Sequence, residues 1–225
     1  MFRPADLFDL AQTDHRVLFN GCEFAWDALK RLKEYIEAQT REAPAHSLAA
    51  VGPHVLVGEG TVIEPGARIR GPAIIGKHCQ IRHGAYIREH VIVGDGCVIG
   101  NACELKHAVL FNDCQVPHFN YVGDSILGHK AHLGAGVILS NVKSLPGTVV
   151  VEAAGRRMDT GLRKFGALLG DRAEIGCNSV LNPGSIIGCG ALVYPLTNWR
   201  GALAPNQIAK NRSVVEVVPR RLRSG

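Results

Sequence analysis

The sequence predicts a mainly β chain wound as a parallel β-helix of short strands, with a helical element before the coil and a long excursion out of it. Three observations carry that expectation. From Val57 to Leu105 an aliphatic residue recurs every sixth position, at Val57, Ile63, Ile69, Ile75, Ile81, Ile87, Val93, Ile99 and Leu105. Four residues after each stands a small or modest one: Thr61, Ala67, Ala73, Cys79, Ala85, Val91, Cys97, Cys103 and Val109. The chain is 46% hydrophobic but only 6% aromatic, and it holds 26 glycines, so its interior is built from aliphatic side chains and its turns are frequent. A period of six fits neither a helix of 3.6 nor an alternating strand. It fits a coil whose every turn needs a bulky residue inside and a small one at a tight corner, with three hexads to a turn.

The elements come in order along the chain. In "EFAWDALKRLKEYIEAQTRE", Ala25, Leu29, Leu32 and Ile36 recur at helical spacing opposite Lys and Glu, which predicts an amphipathic helix packed on the coil. "APAHS" marks its end, so residues 1–46 form a helical N-terminal element and the coil occupies 47–205. The period breaks after Asn141 and resumes at Leu169, leaving 142–168 as an excursion with a β-rich "TVVVE", a turn at "AAGRR" and a basic cluster. Excursions of that length in compact domains tend to be functional. The final "TNWRGALAPNQIAKNRSVVEVVPRR" lacks the hexad and is expected to cap the coil, with 206–225 as capping segment and basic tail, "PRRLRSG".

Composition also narrows the function classes. The formal charge of +5 comes partly from that tail, so it does not indicate a nucleic-acid face on the coil. No apolar run approaches the roughly 18 residues of a membrane span, and the N-terminus carries acids where a signal peptide needs an apolar stretch. The expectation is a cytoplasmic protein with no nucleic-acid or membrane partner. Seven cysteines without a CxxC pair argue against a disulfide framework or a zinc ribbon. Cys79, Cys97, Cys103 and, after a one-residue shortening near Val109, Cys114 fall in the small inward slot.

The polar residues acquire addresses from the repeat. Arg88 and Lys106 lie one turn apart and stack as neighbouring cations, a pairing that costs stability unless an anion answers it. A ligand phosphate would do so, and so would Glu89, Glu104 or Asp124. His83, Asn101 and His118 form a second outward column, with Tyr121 and Asp124 close by and Asp124, like His118, displayed outside. A solvent-facing His118 suits a general base, and a surface histidine with no chemical role fits the same spacing.

The run "CELKHAVLFNDCQVPHFNYVGDSILGHKAHLGAGVILSN" resembles the acetyltransferase half of the bifunctional glucosamine-1-phosphate acetyltransferase/N-acetylglucosamine-1-phosphate uridyltransferase family, over about residues 55–205. The resemblance implies a left-handed coil, against the usual right-handed crossover. It implies direct N-acetylation of an amino-sugar phosphate by acetyl-CoA, with no metal and no cysteine acyl-enzyme, in a homotrimer whose sites lie between subunits. His118 would be the general base. Arg88 and Lys106 would bind the sugar phosphate, Tyr121 and Asn141 the sugar or its amine, and Lys164 would reach in from the excursion. Ala135 would lie near the thioester and Cys177 near the pantetheine. His132 in "HLGAG" departs from the family's "NIGAG", and the 225 residues hold no nucleotide loop of the "LAAGxGTRM" kind, so the resemblance extends to the acetyl-transfer half alone. Two other readings remain open: a non-catalytic assembly or binding coil, and a zinc hydratase resembling γ-carbonic anhydrases, with His78, His83, His90 and His107 as candidate ligands.

Overall fold

Strands of two or three residues are too short to stand alone, and they persist here because each pairs in parallel with the equivalent strand one turn above and one below. The computed structural model describes residues 2–43, 51–153 and 155–211. Ile69 faces Ile87 and Ile87 faces Leu105, so a turn takes eighteen residues, three hexads. The coil has three walls. The first includes Val55–Val57, Ala73–Ile75, Val91–Val93, Ala167–Leu169 and Ser185–Ile187. The second runs from Val62–Ile63 to Ile208–Ala209 as a separate eight-stranded sheet. The third includes Arg68–Ile69, Tyr86–Ile87, Ile138–Leu139 and Val180–Leu181. Glu104–Leu110 and Tyr121–Leu127 run unbroken from the third wall into the first and join the two into one 13-stranded sheet.

That continuity has a local cause. Ile87 pairs with Leu105 but Val91 pairs with Ala108, so the corner that takes three residues at 88–90 takes two at 106–107. The shortening changes the facing of the next residues: Ala108 and Leu110 point into the coil and Val109 points out of it. The hexad count puts Val109 in the small inward slot; the two-residue corner moves it to the outside. Cys79, Cys97, Cys103 and Cys114 do occupy inward slots, all with at most 1% exposure. Hydrogen bonding to Cys97 and burial push the Cys79 thiol up, and burial raises those of Cys97 and Cys103, so these act as core and not as nucleophiles.

The first wall carries a second apolar column on its outer face, the middle residues of its strands: Ile74, Ile92, Val109, Ile126, Leu168 and Ile186. Helix α1, Pro4–Leu7, and helix α2, Asp27–Thr40, cover it. Leu29, Leu32 and Ile36 of α2 are buried there with Phe8, Phe19 and Trp26. The chain thus has two cores, one inside the coil and one between the coil and its N-terminal element. The excursion adds to the second. Its strands Val150–Ala153 and Arg156–Asp159 form an antiparallel hairpin, and Val149, Val151 and Phe165 join the N-terminal cluster. It returns where it left: Phe165 N donates to Asn141 O at 3.0 Å and Gly166 N to Asp124 O at 2.8 Å.

At the far end the coil runs four residues past 205 into the segment expected to cap it. Asn198–Trp199, Ala202–Leu203 and Ile208–Ala209 each pair with the strand one turn before, so the coil continues through Ala209 although the hexad has faded. All but the first residue of the stretch 43–47 read as the helix end, and the basic tail at 219–225, lie outside the described residues. Among the described residues no helix is long and apolar enough to cross a membrane.

Ile92 is fully buried between the first wall and the N-terminal element. Ile92→Ala is expected to lower unfolding free energy by about 2–5 kcal/mol, the usual cost of a large-to-small change at a packed site. Urea unfolding checks this, and a cost below about 1 kcal/mol would mean that the N-terminal element does not pack tightly on that wall.

Candidate functional site

Two corners of the coil hold the polar residues singled out from the sequence, one at each edge of the third wall. At the corner between the second and third walls, Gln115–His118 ends on the histidine. His118 pairs with Asn101, and Asn101 Nδ2 donates to His83 O at 2.9 Å, so the three form the outward column expected. His118 is exposed, and among the described residues its imidazole has no hydrogen bond or ion pair; its ring lies 6.3 Å from that of Phe119. Phe119 is 59% exposed at φ +54°, an uncommon conformation for a bulky side chain.

The column continues upward. Gly136 N donates to His118 O at 3.0 Å, Asn178 N to Ala135 O at 2.8 Å and Leu196 N to Cys177 O at 2.9 Å. These bonds place Ala135 on the rung above His118 and Cys177 on the rung above Ala135, each step roughly 5 Å. Of the three N–H groups at 134–136, Gly134 donates to Ile175 O at 2.7 Å and Gly136 to His118 O, while that of Ala135 has no acceptor among the described residues. Beside this column the second wall bears a shallow groove of about 320 Å³, lined by His132, Gly134, Cys177, Leu192, Tyr194 and Pro195. Gly134 is required there: a Cβ would lie 2.6 Å from Cys177 N and 2.9 Å from its Sγ.

At the corner between the third and first walls, Arg88 and Lys106 stand on adjacent rungs, as the pairing of Ile87 with Leu105 dictates. Carboxylates answer both. Arg88 Nη1 donates to Glu104 Oε1 at 2.8 Å and its Nη2 lies 3.9 Å from Glu89 Oε1, while Lys106 Nζ lies 3.7 Å from Asp124 Oδ2. The Glu104 hydrogen bond holds the guanidinium above its ordinary pKa. Asp124, read from the sequence as displayed outside, is only 5% exposed and takes φ +47° at the two-residue corner. Asn141 Nδ2 donates to the same Asp124 Oδ2. Tyr121 is half-buried against this pair, and burial, then the charges of Asp124 and Glu104, raise its phenol pKa. Lys164 is exposed and bridges to Val142 across the root of the excursion, next to Asn141.

The structure therefore gathers Arg88, Lys106, Tyr121, Asn141 and Lys164 at one edge of the third wall, and His118, Ala135 and Cys177 at the other. Among the described residues no hydrogen bond or ion pair joins the two groups. Glu104, weighed from the sequence as a neutraliser of the two cations, and His107, weighed as a zinc ligand, also belong to the first group. His107 links it to helix α2 through Nε2 and Leu29 O at 3.1 Å, and burial lowers its pKa. The four histidines weighed as zinc ligands are spread over all three corners, with only His90 and His107 adjacent, their rings 6.0 Å apart.

Comparison with known proteins agrees with this architecture. Residues 69–155 match the GMPPB C-terminal domain family. Over 92 residues the chain is 36% identical to a bifunctional sugar-1-phosphate nucleotidylyltransferase/acetyltransferase of Sulfurisphaera tokodaii, which covers 41% of this chain and 23% of the relative. Over 177 residues it is 30% identical to a bifunctional protein GlmU of Methanococcus maripaludis, covering 78% of this chain and 43% of the relative. The chain thus spans less than half the length of either curated relative. A solved hexapeptide transferase family protein from Anaplasma phagocytophilum aligns at 19% identity and a TM-score of 0.27, over 70% of this chain and 76% of that one. The hexads, the three-walled register and the sequence matches together make this chain a hexapeptide-repeat protein of the left-handed β-helix type, similar to the GlmU-type bifunctional nucleotidylyltransferase/acetyltransferases.

Proposed function

We propose that the chain is an acyl-CoA-dependent N-acetyltransferase that acts on an amino-sugar phosphate by direct transfer. The observation that carries this reading is the column of His118, Ala135 and Cys177 on successive rungs of one corner, with the imidazole and the Ala135 N–H both unpartnered among the described residues. That is the order in which a base, an oxyanion donor and a thioester tail have to stand. The similarity to bifunctional nucleotidylyltransferase/acetyltransferases supports the same chemistry.

A sugar amine attacks only when neutral. His118 takes its proton as the new N–C bond forms at the thioester carbonyl. The carbonyl oxygen gains charge toward the Ala135 N–H, where a preorganised donor stabilises the tetrahedral species. The C–S bond then breaks, and the departing thiolate recovers a proton from the imidazolium. Acetyl-CoA is the co-substrate, with its pantetheine arm along the apolar groove past Cys177. At the other edge of the third wall Arg88 and Lys106 bind the phosphate, while Tyr121, Asn141 and Lys164 hold the sugar. Because that edge lies a wall's width from His118, on the order of 10 Å at ~3.3 Å per residue, the complete site needs a second copy. A homotrimer supplies it, His118 of one subunit working with Asn141 or Lys164 of the next.

One observation favours a second reading, a coil that binds or assembles without turnover. Glu104 and Asp124 already answer Arg88 and Lys106, so the cations serve the fold even with no phosphate present. In the enzyme reading Arg88 keeps further N–H donors for the phosphate.

Amino-sugar phosphates offered with acetyl-CoA, followed by release of free thiol, separate the two. The parent is expected to turn over at least one acceptor, and His118→Ala to lower kcat by about 10²–10⁴-fold with the fold intact. A parent inactive on every amino-sugar phosphate, or His118→Ala at parental rate, contradicts the proposal. Arg88→Gln is expected to raise the acceptor KM by about 10-fold or more, the loss of one charge-assisted contact, and to leave the KM of acetyl-CoA unchanged. An unchanged acceptor KM would assign Arg88 to the fold alone.

A further inference from the structure

On the rungs around His118, the inward slot just before the third wall holds Ala67, Ala85, Cys103, Val137 and Ser179, all small or apolar. On the rung that carries His118 it holds Asn120, a carboxamide only 2% exposed. A buried amide destabilises a core unless it is hydrogen-bonded, and a coil needs no amide at this slot, since alanine closes the same corner on two other rungs.

Its bonds reach both halves of the proposed chemistry. Asn120 Oδ1 accepts from His118 N at 3.1 Å and from Cys103 Sγ at 3.5 Å. Asn120 Nδ2 donates to Gly134 O at 2.7 Å. The Gly134 carbonyl and the Ala135 N–H are opposite ends of one peptide, and in a planar trans peptide they point in opposite directions. Fixing the carbonyl inward on Asn120 turns the Ala135 N–H outward, on the side where His118 is displayed. We propose that Asn120 is a positioning residue that sets the general base and the oxyanion donor in one fixed relation across two rungs; this rests on the acetyl-transfer reading above.

Half of the arrangement has ordinary structural counterparts. Cys103 Sγ donates to Val116 O at 3.1 Å and Ser179 Oγ to Tyr194 O at 3.0 Å, each reaching a carbonyl on the next rung as Asn120 does. Among the described residues the acceptor half differs: Ser179 Oγ accepts from Thr197 N at 3.2 Å and Cys103 Sγ from Asn120 N at 3.4 Å, both on the next rung. Only at Asn120 does the slot residue also accept from the backbone two positions before it, and that position is His118.

The test uses the full chain with acetyl-CoA and the acceptor found active. Asn120→Ser and Asn120→Cys keep a donor for the Gly134 carbonyl of the kind seen at Ser179 and Cys103, and remove the acceptor for His118 N. Both are expected to melt within a few degrees of the parent, to lower kcat by about 10–100-fold, the scale of a roughly 1 Å misplacement, and to leave both KM values within about 3-fold. Ser179→Ala, which deletes two rungs above a slot hydroxyl that donates to Tyr194 O and accepts from Thr197 N, is expected to leave kcat unchanged. Parental kcat in both Asn120 variants, with His118→Ala inactive, overturns this proposal and leaves the acetyl-transfer reading standing. An equal loss of kcat in Ser179→Ala also overturns it. A parent that acetylates no acceptor removes the reading and the proposal together.

Discussion

Each rung of the coil is held to the next by parallel backbone hydrogen bonds in a fixed register, and every surface feature depends on it. Outside the excursion, a residue's neighbours are set by counting sixteen to eighteen along the chain, not by how side chains pack. Like residues consequently stack into columns, and the columns have to be managed. On the inside, cysteine and alanine alternate with isoleucine and valine. On the first wall, an aliphatic column would face water without the N-terminal helices. At the edge of the third wall, Arg70, Arg88 and Lys106 would repel without Glu89, Glu104 and Asp124.

The same register makes a corner a good place to build a site. Where a corner lies outside the strands, its carbonyls and N–H groups divide between the ladder and whatever lies beyond it. At 134–136 the ladder takes two of three N–H groups, and the remaining one sits a single rung from an exposed imidazole. The excursion exploits the other edge, leaving after Asn141 and returning at Phe165, so Lys164 is held beside Val142 at that edge without breaking the coil. In the proposed enzyme these edges meet only between copies, which ties activity to assembly.

Much of the coil was legible because the hexad is a short-range signal. Ile63 to Leu105 could be counted, the inward cysteines went with them, and the His83, Asn101 and His118 column needed only the same count. The features that were missed depend on contacts between distant segments. Val109 faces out because two residues turn a corner that takes three elsewhere, and Asp124 is buried because Lys106 and Asn141 close on it from neighbouring rungs. The outer apolar column was visible as the middle residue of "AII", "VIV" and "ALL", but its meaning required knowing that the N-terminal helix lands there. Residues 198–209 continue the coil without its hexad because backbone pairing persists where the side-chain pattern has faded. Asn120 carried a signal as well, a carboxamide in a slot otherwise filled by alanine, cysteine, valine or serine.

The central claim is that the corner of His118, Ala135 and Cys177 carries the acyl-CoA path. Cys177 is an exposed thiol beside the groove, whereas Cys79, Cys97, Cys103 and Cys114 are buried in the core. Alkylation of individual cysteines, followed by mass spectrometry with and without coenzyme A, reads the path directly. The account predicts that coenzyme A protects Cys177 and leaves Cys22 and Cys189 at their unprotected rates. Equal labelling of Cys177 under saturating coenzyme A would contradict it.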